Sequence, residues 1–198
     1  MIMSEPIKKD EEMRCKICNV AERLFREIGY QKTTVADIAK SLAMSPANVY
    51  RFFASKHQIN EAVGKRLVGE VEEGLVAVVA QNLPASERIR VLFLTLHTMT
   101  VERYVADAKM HEMVEVALTE SWEMVHAHVM KLIGFTAKII ADGVASGEFR
   151  PCNVEETAAS VNAAMIRFCH PRMVMECGRL PLPTLEGHID FILHALKA

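Results

Sequence analysis

The sequence predicts an all-α protein of about nine helices, with an N-terminal three-helix head and a larger helical bundle behind it. Apolar residues recur at helical spacing almost throughout, and no run alternates strictly as a half-buried strand would. Glycines and prolines fall between these periodic stretches. Residues 33–56 set two short helical segments on either side of a three- to four-residue turn, the spacing of a helix-turn-helix.

The first helix is expected from about Asp10 to Ile28, stopped by Gly29 as a left-handed cap. Thr33 or Thr34 caps a second helix, Val35 to Leu42, and Asp37 falls favourably in its first turn. Ser45-Pro46 opens a third, because proline at the first helical position loses no hydrogen bond, and it ends near Phe53. Ser55 caps a long fourth helix to about Gln81. Beyond Leu83-Pro84, a helix from Ser86 to about Ala106 is apolar on nearly every side, as the centre of a bundle requires. Further helices are expected over Met110–Leu118, Ser121–Ala145, Val154–Cys169 and Leu185–Leu196, with a proline-rich connection from Pro171 to Pro183.

The 198 residues suffice for a small domain joined to a larger one. The division expected is a helix-turn-helix head over 1–54 and a larger helical part over 55–198, with the helix to 81 connecting them. No stretch approaches about 18 uninterrupted apolar residues, and the N-terminus lacks the apolar core of a signal peptide. The expectation is a cytoplasmic protein without a membrane partner. Residues 1–65 hold 11 Lys and Arg against 8 Asp and Glu, whereas residues 66–198 hold 12 against 17. A basic head on an acidic body suits an anionic partner at the N-terminus.

Five cysteines, irregularly spaced, make no disulfide framework. Cys15 and Cys18 form a CxxC, but they sit within an amphipathic helical pattern with no second pair nearby to complete a tetrahedral metal site. Neither a metal nor a cofactor is expected. Catalysis finds no support either, since nucleophile-elbow, zinc-protease and phosphate-loop motifs are all missing.

The helix-turn-helix has an apolar inner face of Val35, Ile38, Ala39, Leu42, Met44, Val49 and Phe52. Its outward side carries Ser45, Pro46, Ala47, Asn48, Tyr50 and Arg51. Short side chains permit close approach to a groove, the Asn48 amide suits adenine, and Tyr50 and Arg51 reach phosphates. Thr33 and Thr34 at one helix N-terminus, and Lys56 at the next, direct amides, hydroxyls and charge toward a nucleic-acid backbone. Lys40 is as readily a solvated charge.

The stretch from Arg14 to Val63 resembles the tetracycline-repressor (TetR) family of transcriptional regulators. Thr33, Thr34, Val35, Asp37, Ile38, Ala39, Ser45, Tyr50, Phe53, Ser55 and Lys56 match the family pattern, as do Ala21, Leu24, Phe25, Gly29 and Tyr30 before it. Leu42-Ala43-Met44 departs from the usual Ala-Gly-Val, so alanine stands where the turn commonly has glycine. Ala47 and Asn48 also depart from the small residues often found there, which bears on operator sequence. The resemblance implies a homodimer on a palindromic operator in double-stranded DNA. It also implies a C-terminal pocket for a small-molecule effector whose binding swings the fourth helix and releases a repressor.

Pairing has independent support in small residues on one helix (Ala158, Ala159, Val161, Ala163, Ala164) and apolar ones on the last (Ile189, Ile192, Leu193, Leu196). Candidate effector contacts are polar, aromatic or thioether groups within apolar helices: His97, Arg103, Trp122, His126, Met130, Asn162 and Arg167. Two alternatives remain open at this level. One is a redox-sensing regulator using Cys152, Cys169 or Cys177, and the other is a helical metalloprotein built on the eight histidines.

Overall fold

Cap chemistry fixes most of the helix boundaries. A computed structural model describes residues 5–105, 108–176 and 183–198. Its ten α-helices, among the described residues, are α1 (Glu5–Ile28), α2 (Val35–Ser41), α3 (Pro46–Tyr50), α4 (Lys56–Val79), α5 (Ala85–Thr100), α6 (Ala108–Glu120), α7 (Trp122–Ala145), α8 (Val154–Cys169), α9 (Pro171–Glu176) and α10 (Leu185–Leu196). Thr34 caps α2 through a reciprocal box with Asp37, and Ser45 caps α3 by accepting from the Asn48 amide. Ser55 accepts from the Gln58 amide, while the Gln58 side chain accepts from the Ala54 amide, closing the start of α4 in the same way.

Two elements differ from expectation. The fifth helix ends as a π-helical turn, Val101–Val105. The proline-rich segment holds α9, because Pro171 opens a helix as readily as it ends one. No strand occurs among the described residues; a single antiparallel bridge joins Phe149 to Lys197.

The chain divides into two compact units. The first comprises Met1–Leu67 with Asp107–Met124, and the second Val68–Ala106 with Val125–Ala198. The division falls inside α4, and α6 groups with the N-terminal helices. In the first unit Ile17, Ala21 and Phe25 of α1 are fully buried, as are Ile38, Ala39, Val49, Ile59, Val63 and Met110. Each large apolar side chain buried in this way stabilises by about 1.5–3 kcal/mol relative to exposure. Phe25 and Tyr30 meet edge to face with ring centres 5.2 Å apart.

The second unit has a continuous core of Leu75, Ile89, Phe93, Ile139, Ile140, Phe149, Ala158 and Met165. Ile189, Ile192, Leu193 and Leu196, read from sequence as a pairing face, belong to this core, as do Ala158 and Val161. That expectation is corrected: α10 spends these side chains on the core of its own chain. Still exposed are Ala159, Ala163, Ala164 and Ile166 of α8, and Phe191 of α10 at 71%.

By length and composition α7 could cross a membrane, with a mean hydropathy of 1.2 over its most apolar 18 residues. It also carries Lys131 and His128, whose side chains pair with Glu72 of α4. Glu72 lies at 8% exposure; burial pushes its carboxyl up, but hydrogen bonds from Lys131 and His128 outweigh that and hold it below its ordinary range.

Candidate nucleic-acid interface

The third helix is anchored by its buried side. Val49 and Phe53 turn inward and are buried, while Pro46, Ala47, Tyr50 and Arg51 are exposed. Asn48 is half-buried, and its Oδ1 accepts from Arg51 Nη1 at 3.2 Å. Ser45 is exposed and spends its hydroxyl oxygen on the cap. The turn ahead of α3 keeps its left-handed residue: Ala43 has φ +53°, the one positive value outside glycine among the described residues. The glycine-type turn therefore survives with alanine in it, at a cost of about 1 kcal/mol.

Arg14, which the sequence did not single out, braces the far end of α3. Its guanidinium donates to the Phe52 carbonyl and lies 4.2 Å from the centre of the Phe53 ring. Nothing local marks it, because its partners lie 38 and 39 positions away.

The three candidates around α2 and α4 separate. Thr34 is exposed at the N-terminus of α2, with its hydroxyl and amide bonded to Asp37. Those bonds hold the Asp37 carboxyl below its usual value. Thr33 is 1% exposed, and its hydroxyl donates to the Gly29 carbonyl at 2.8 Å. Lys56 turns its ammonium inward onto the carbonyls of Tyr30 at 2.9 Å, Thr33 at 3.1 Å and Gln31 at 3.4 Å. Partial burial lowers the Lys56 pKa, opposed by the nearby Glu112 charge. The side chains of Thr33 and Lys56 thus hold the α1–α2 turn together instead of facing outward.

The candidate effector residues fall in both units. Trp122 belongs to the first unit and is 66% exposed; the other six lie in the second. His126 and Met130 are exposed. His97 Nδ1 lies 2.6 Å from the Phe168 carbonyl oxygen, Arg103 pairs with Glu70, and Asn162 donates to Thr136 and to the Ala158 carbonyl. Arg167 keeps Nε and Nη2 buried without a hydrogen-bond partner. A groove of about 510 Å³ elsewhere in the second unit is lined by Leu83, Pro84, Ala85, Arg88, Asp142, Ser146, Gly147 and Glu148, none of them a candidate.

The alternatives gain no support. Among the described residues no three His, Cys, Asp or Glu side chains group as a metal site. Burial pushes the Cys169 thiol up to about 12, away from reactive thiolate, and Cys152 is a free, half-buried thiol. Cys177 lies outside the described residues.

Comparison with known proteins follows the same lines. Residues 17–63 match the family described as bacterial regulatory proteins, tetR family. Residues 85–184, half of the chain, match the tetracyclin repressor-like C-terminal domain. YhgD, a helix-turn-helix-type transcriptional regulator of Bacillus subtilis (strain 168), is 25% identical over 148 residues, covering 72% of this chain and 74% of that protein. A transcriptional regulator from Cytophaga hutchinsonii shares the fold with a TM-score of 0.70 at 18% identity, covering 92% of this chain and 97% of that one. A TetR/AcrR-family regulator from Thermobifida fusca does so at 0.67 and 22%, covering 92% and 95%. With both halves of the pattern present in order, and the helix-turn-helix formed as described, the chain belongs to the tetracycline-repressor family of DNA-binding transcriptional regulators.

Proposed function

We propose that this regulator is a cytoplasmic homodimeric repressor that holds a palindromic operator with two heads and leaves it when a small molecule binds the C-terminal part. In this reading residues 1–54 read DNA, residues 55–198 bind effector and pair the subunits, and α4 is the lever. The observation that carries it is the outward face of α3, where Ala47, Tyr50 and Arg51 stand exposed beside a buried Val49. Short side chains next to a phenol and a guanidinium suit a major groove flanked by phosphates.

Thr34, Ser45, Pro46 and Asn48 complete the outward contact surface. Thr33 and Lys56 serve through the turn they fix. Pairing is supported by the exposed apolar side chains Ile166 and Phe191, next to the small residues Ala159, Ala163 and Ala164. A two-fold dimer would set its recognition helices about 34–36 Å apart, one helical turn of DNA. Effector release is supported by the match of residues 85–184 to the family's C-terminal domain.

The test is selection of bound fragments from the source genome by the purified protein, with sedimentation equilibrium for its assembly. Enrichment of palindromic fragments by a dimer is expected. Affinity no greater than for random duplex, or a monomer at binding concentrations, would overturn the reading.

A further inference from the structure

Cys15 and Cys18 are two free thiols on α1 that the DNA-binding reading leaves without a task. They stand three positions apart on a helix that runs unbroken from Glu5 to Ile28, so their side chains are neighbours on one side of it. Their surroundings differ. Cys15 is exposed and flanked in sequence by the cations Arg14 and Lys16, whereas Cys18 is 7% exposed and belongs to the buried face with Ile17 and Ala21. Burial pushes the Cys18 thiol up, opposed by the Arg66 guanidinium of α4. An accessible thiol next to a sheltered one is the arrangement of an attacking and a resolving cysteine.

Helix geometry brings the pair near bonding distance without reaching it. Residues three apart in an α-helix have Cα atoms about 5 Å apart, inside the span of about 4.4–6.8 Å that a disulfide bridges. Their Cβ atoms are about 5–6 Å apart, and a disulfide needs about 3.5–4.5 Å. The bond therefore requires this turn to tighten toward a 3₁₀ turn, in which side chains three apart eclipse. Tightening rotates the chain ahead of Cys15 by up to about 60° relative to the part behind Cys18, where Ala21 and Phe25 are fully buried. Arg14 is the first residue carried round. Its guanidinium would leave the Phe52 carbonyl and the Phe53 ring, the contacts that brace the far end of α3.

We propose that Cys15 and Cys18 form a reversible disulfide on exposure to a hydroperoxide, and that the oxidised head binds DNA less tightly. The Cys15 thiolate attacks the peroxide and the O–O bond breaks. Cys15 becomes a sulfenic acid, and the other oxygen leaves with a proton as water or an alcohol. The Cys18 sulfur then displaces the sulfenic oxygen, which departs as water with the Cys18 proton. Two thiols and one hydroperoxide thus give one disulfide, one water, and a second water or an alcohol. In a reducing cytosol such a pair rests as thiols and is oxidised transiently. It is separate from Cys152 and Cys169, which lie in the second unit. The effect on affinity rests on the DNA-binding reading above, whereas the disulfide does not.

The test treats the full-length protein with hydrogen peroxide and then with dithiothreitol. Intact mass and peptide mapping locate any cross-link, and affinity is measured for the duplex that reduced wild type enriches from a random-sequence pool. A Cys15–Cys18 link is expected in wild type and in a variant lacking the other three cysteines (C152S, C169A, C177S). Affinity should fall about tenfold on oxidation, the scale of one lost charge-assisted hydrogen bond, and return on reduction. C15S and C18A should keep their reduced affinity under peroxide. R14A should bind about as weakly as oxidised wild type and lose little more on oxidation. Overoxidation of Cys15 without a link, a link between two chains, or a Cys15–Cys18 link with unchanged affinity overturns the proposal. So does a loss of the same size in C15S. Should the triple variant or C18A not fold, wild type against C15S decides on the same criteria. If reduced wild type enriches no duplex, the DNA-binding reading fails, and the mapped link alone decides whether the pair is oxidisable. If it enriches one and peroxide leaves its affinity unchanged, this inference alone fails.

Discussion

Lys56 Nζ lies 2.9 Å from the Tyr30 carbonyl oxygen and 4.3 Å from the centre of the same residue's ring. One ammonium thus joins the start of α4 to the turn ahead of α2, and little of its charge is left for an external phosphate. Arg51 is exposed beside α3; among the described residues it donates to Asn48 across one turn and lies 5.8 Å from the centre of the Phe52 ring. The two cations should separate under substitution. R51A is expected to weaken DNA binding and reduce the salt slope by about one, as loss of one phosphate contact requires. K56M should weaken binding with the slope unchanged, and should lower the melting temperature. Titration at several salt concentrations distinguishes them, and a reduced slope in K56M would return Lys56 to the phosphate contacts.

Ala43 occupies a left-handed conformation that costs an L-residue with a Cβ about 1 kcal/mol. A43G should therefore stabilise the folded protein, less the extra freedom glycine brings to the unfolded chain. A rise of about 1–3 °C in melting temperature is expected for a chain of this size, with DNA affinity retained. A lower melting temperature would show that the unfolded-state term wins.

Gly143 of α7 is needed for packing. A Cβ there would lie 2.3 Å from Phe149 Cδ2 and 2.8 Å from the Ala85 Cβ. Phe149 is 1% exposed, so its ring has nowhere to retreat. G143A should destabilise by about 1–3 kcal/mol despite alanine's better helix propensity. Urea denaturation measures this, and a neutral result would mean that the Phe149 ring repacks freely.

Asp142 accepts from Lys138 at 2.7 Å and from Arg88 at 2.8 Å, which holds its carboxyl below the usual value of 3.8. A carboxylate lowered on folding adds stability that is fully present above its unfolded pKa and lost as pH falls through the folded one. Stability should decline below about pH 4, and D142N should flatten that part of the profile. The variant should also be weaker at neutral pH, because Arg88 is 8% exposed and loses its counter-charge. Thermal melts from neutral to acid pH test both points.

Phe191 is the most exposed large apolar side chain among the described residues, at 71%. If α8 and α10 pair the subunits, F191R should give monomers with intact helicity and lose specific DNA binding. A dimeric F191R would place the pairing surface elsewhere.

The helix-turn-helix was legible because its signals are local. Caps at Thr34 and Ser45, the stop at Gly29 and the inward positions of Val35, Ile38, Ala39 and Val49 all follow from neighbours within a turn or two of chain. The limits of α8 and α10 were legible from their periodic apolar stretches, and the structure adds Asn153 and Thr184 as their caps. The partners of the effector candidates were not, since a polar residue in an apolar helix has the same pattern whatever it meets; His97 and Asn162 meet backbone carbonyls.

Sequence alone determined the all-helical class, the helix-turn-helix and the family, because helix periodicity, caps and turn residues act over a few positions. Tertiary structure decided which side chains remain available. It turned Lys56 and Thr33 inward, placed Ile189, Ile192, Leu193 and Leu196 in the core of their own chain, set Arg14 against Phe52 and Phe53, and brought Lys109 and Glu112 to the end of α1 and the turn after it. Those outcomes depend on residues tens of positions apart meeting in space, and no local spacing records such a meeting.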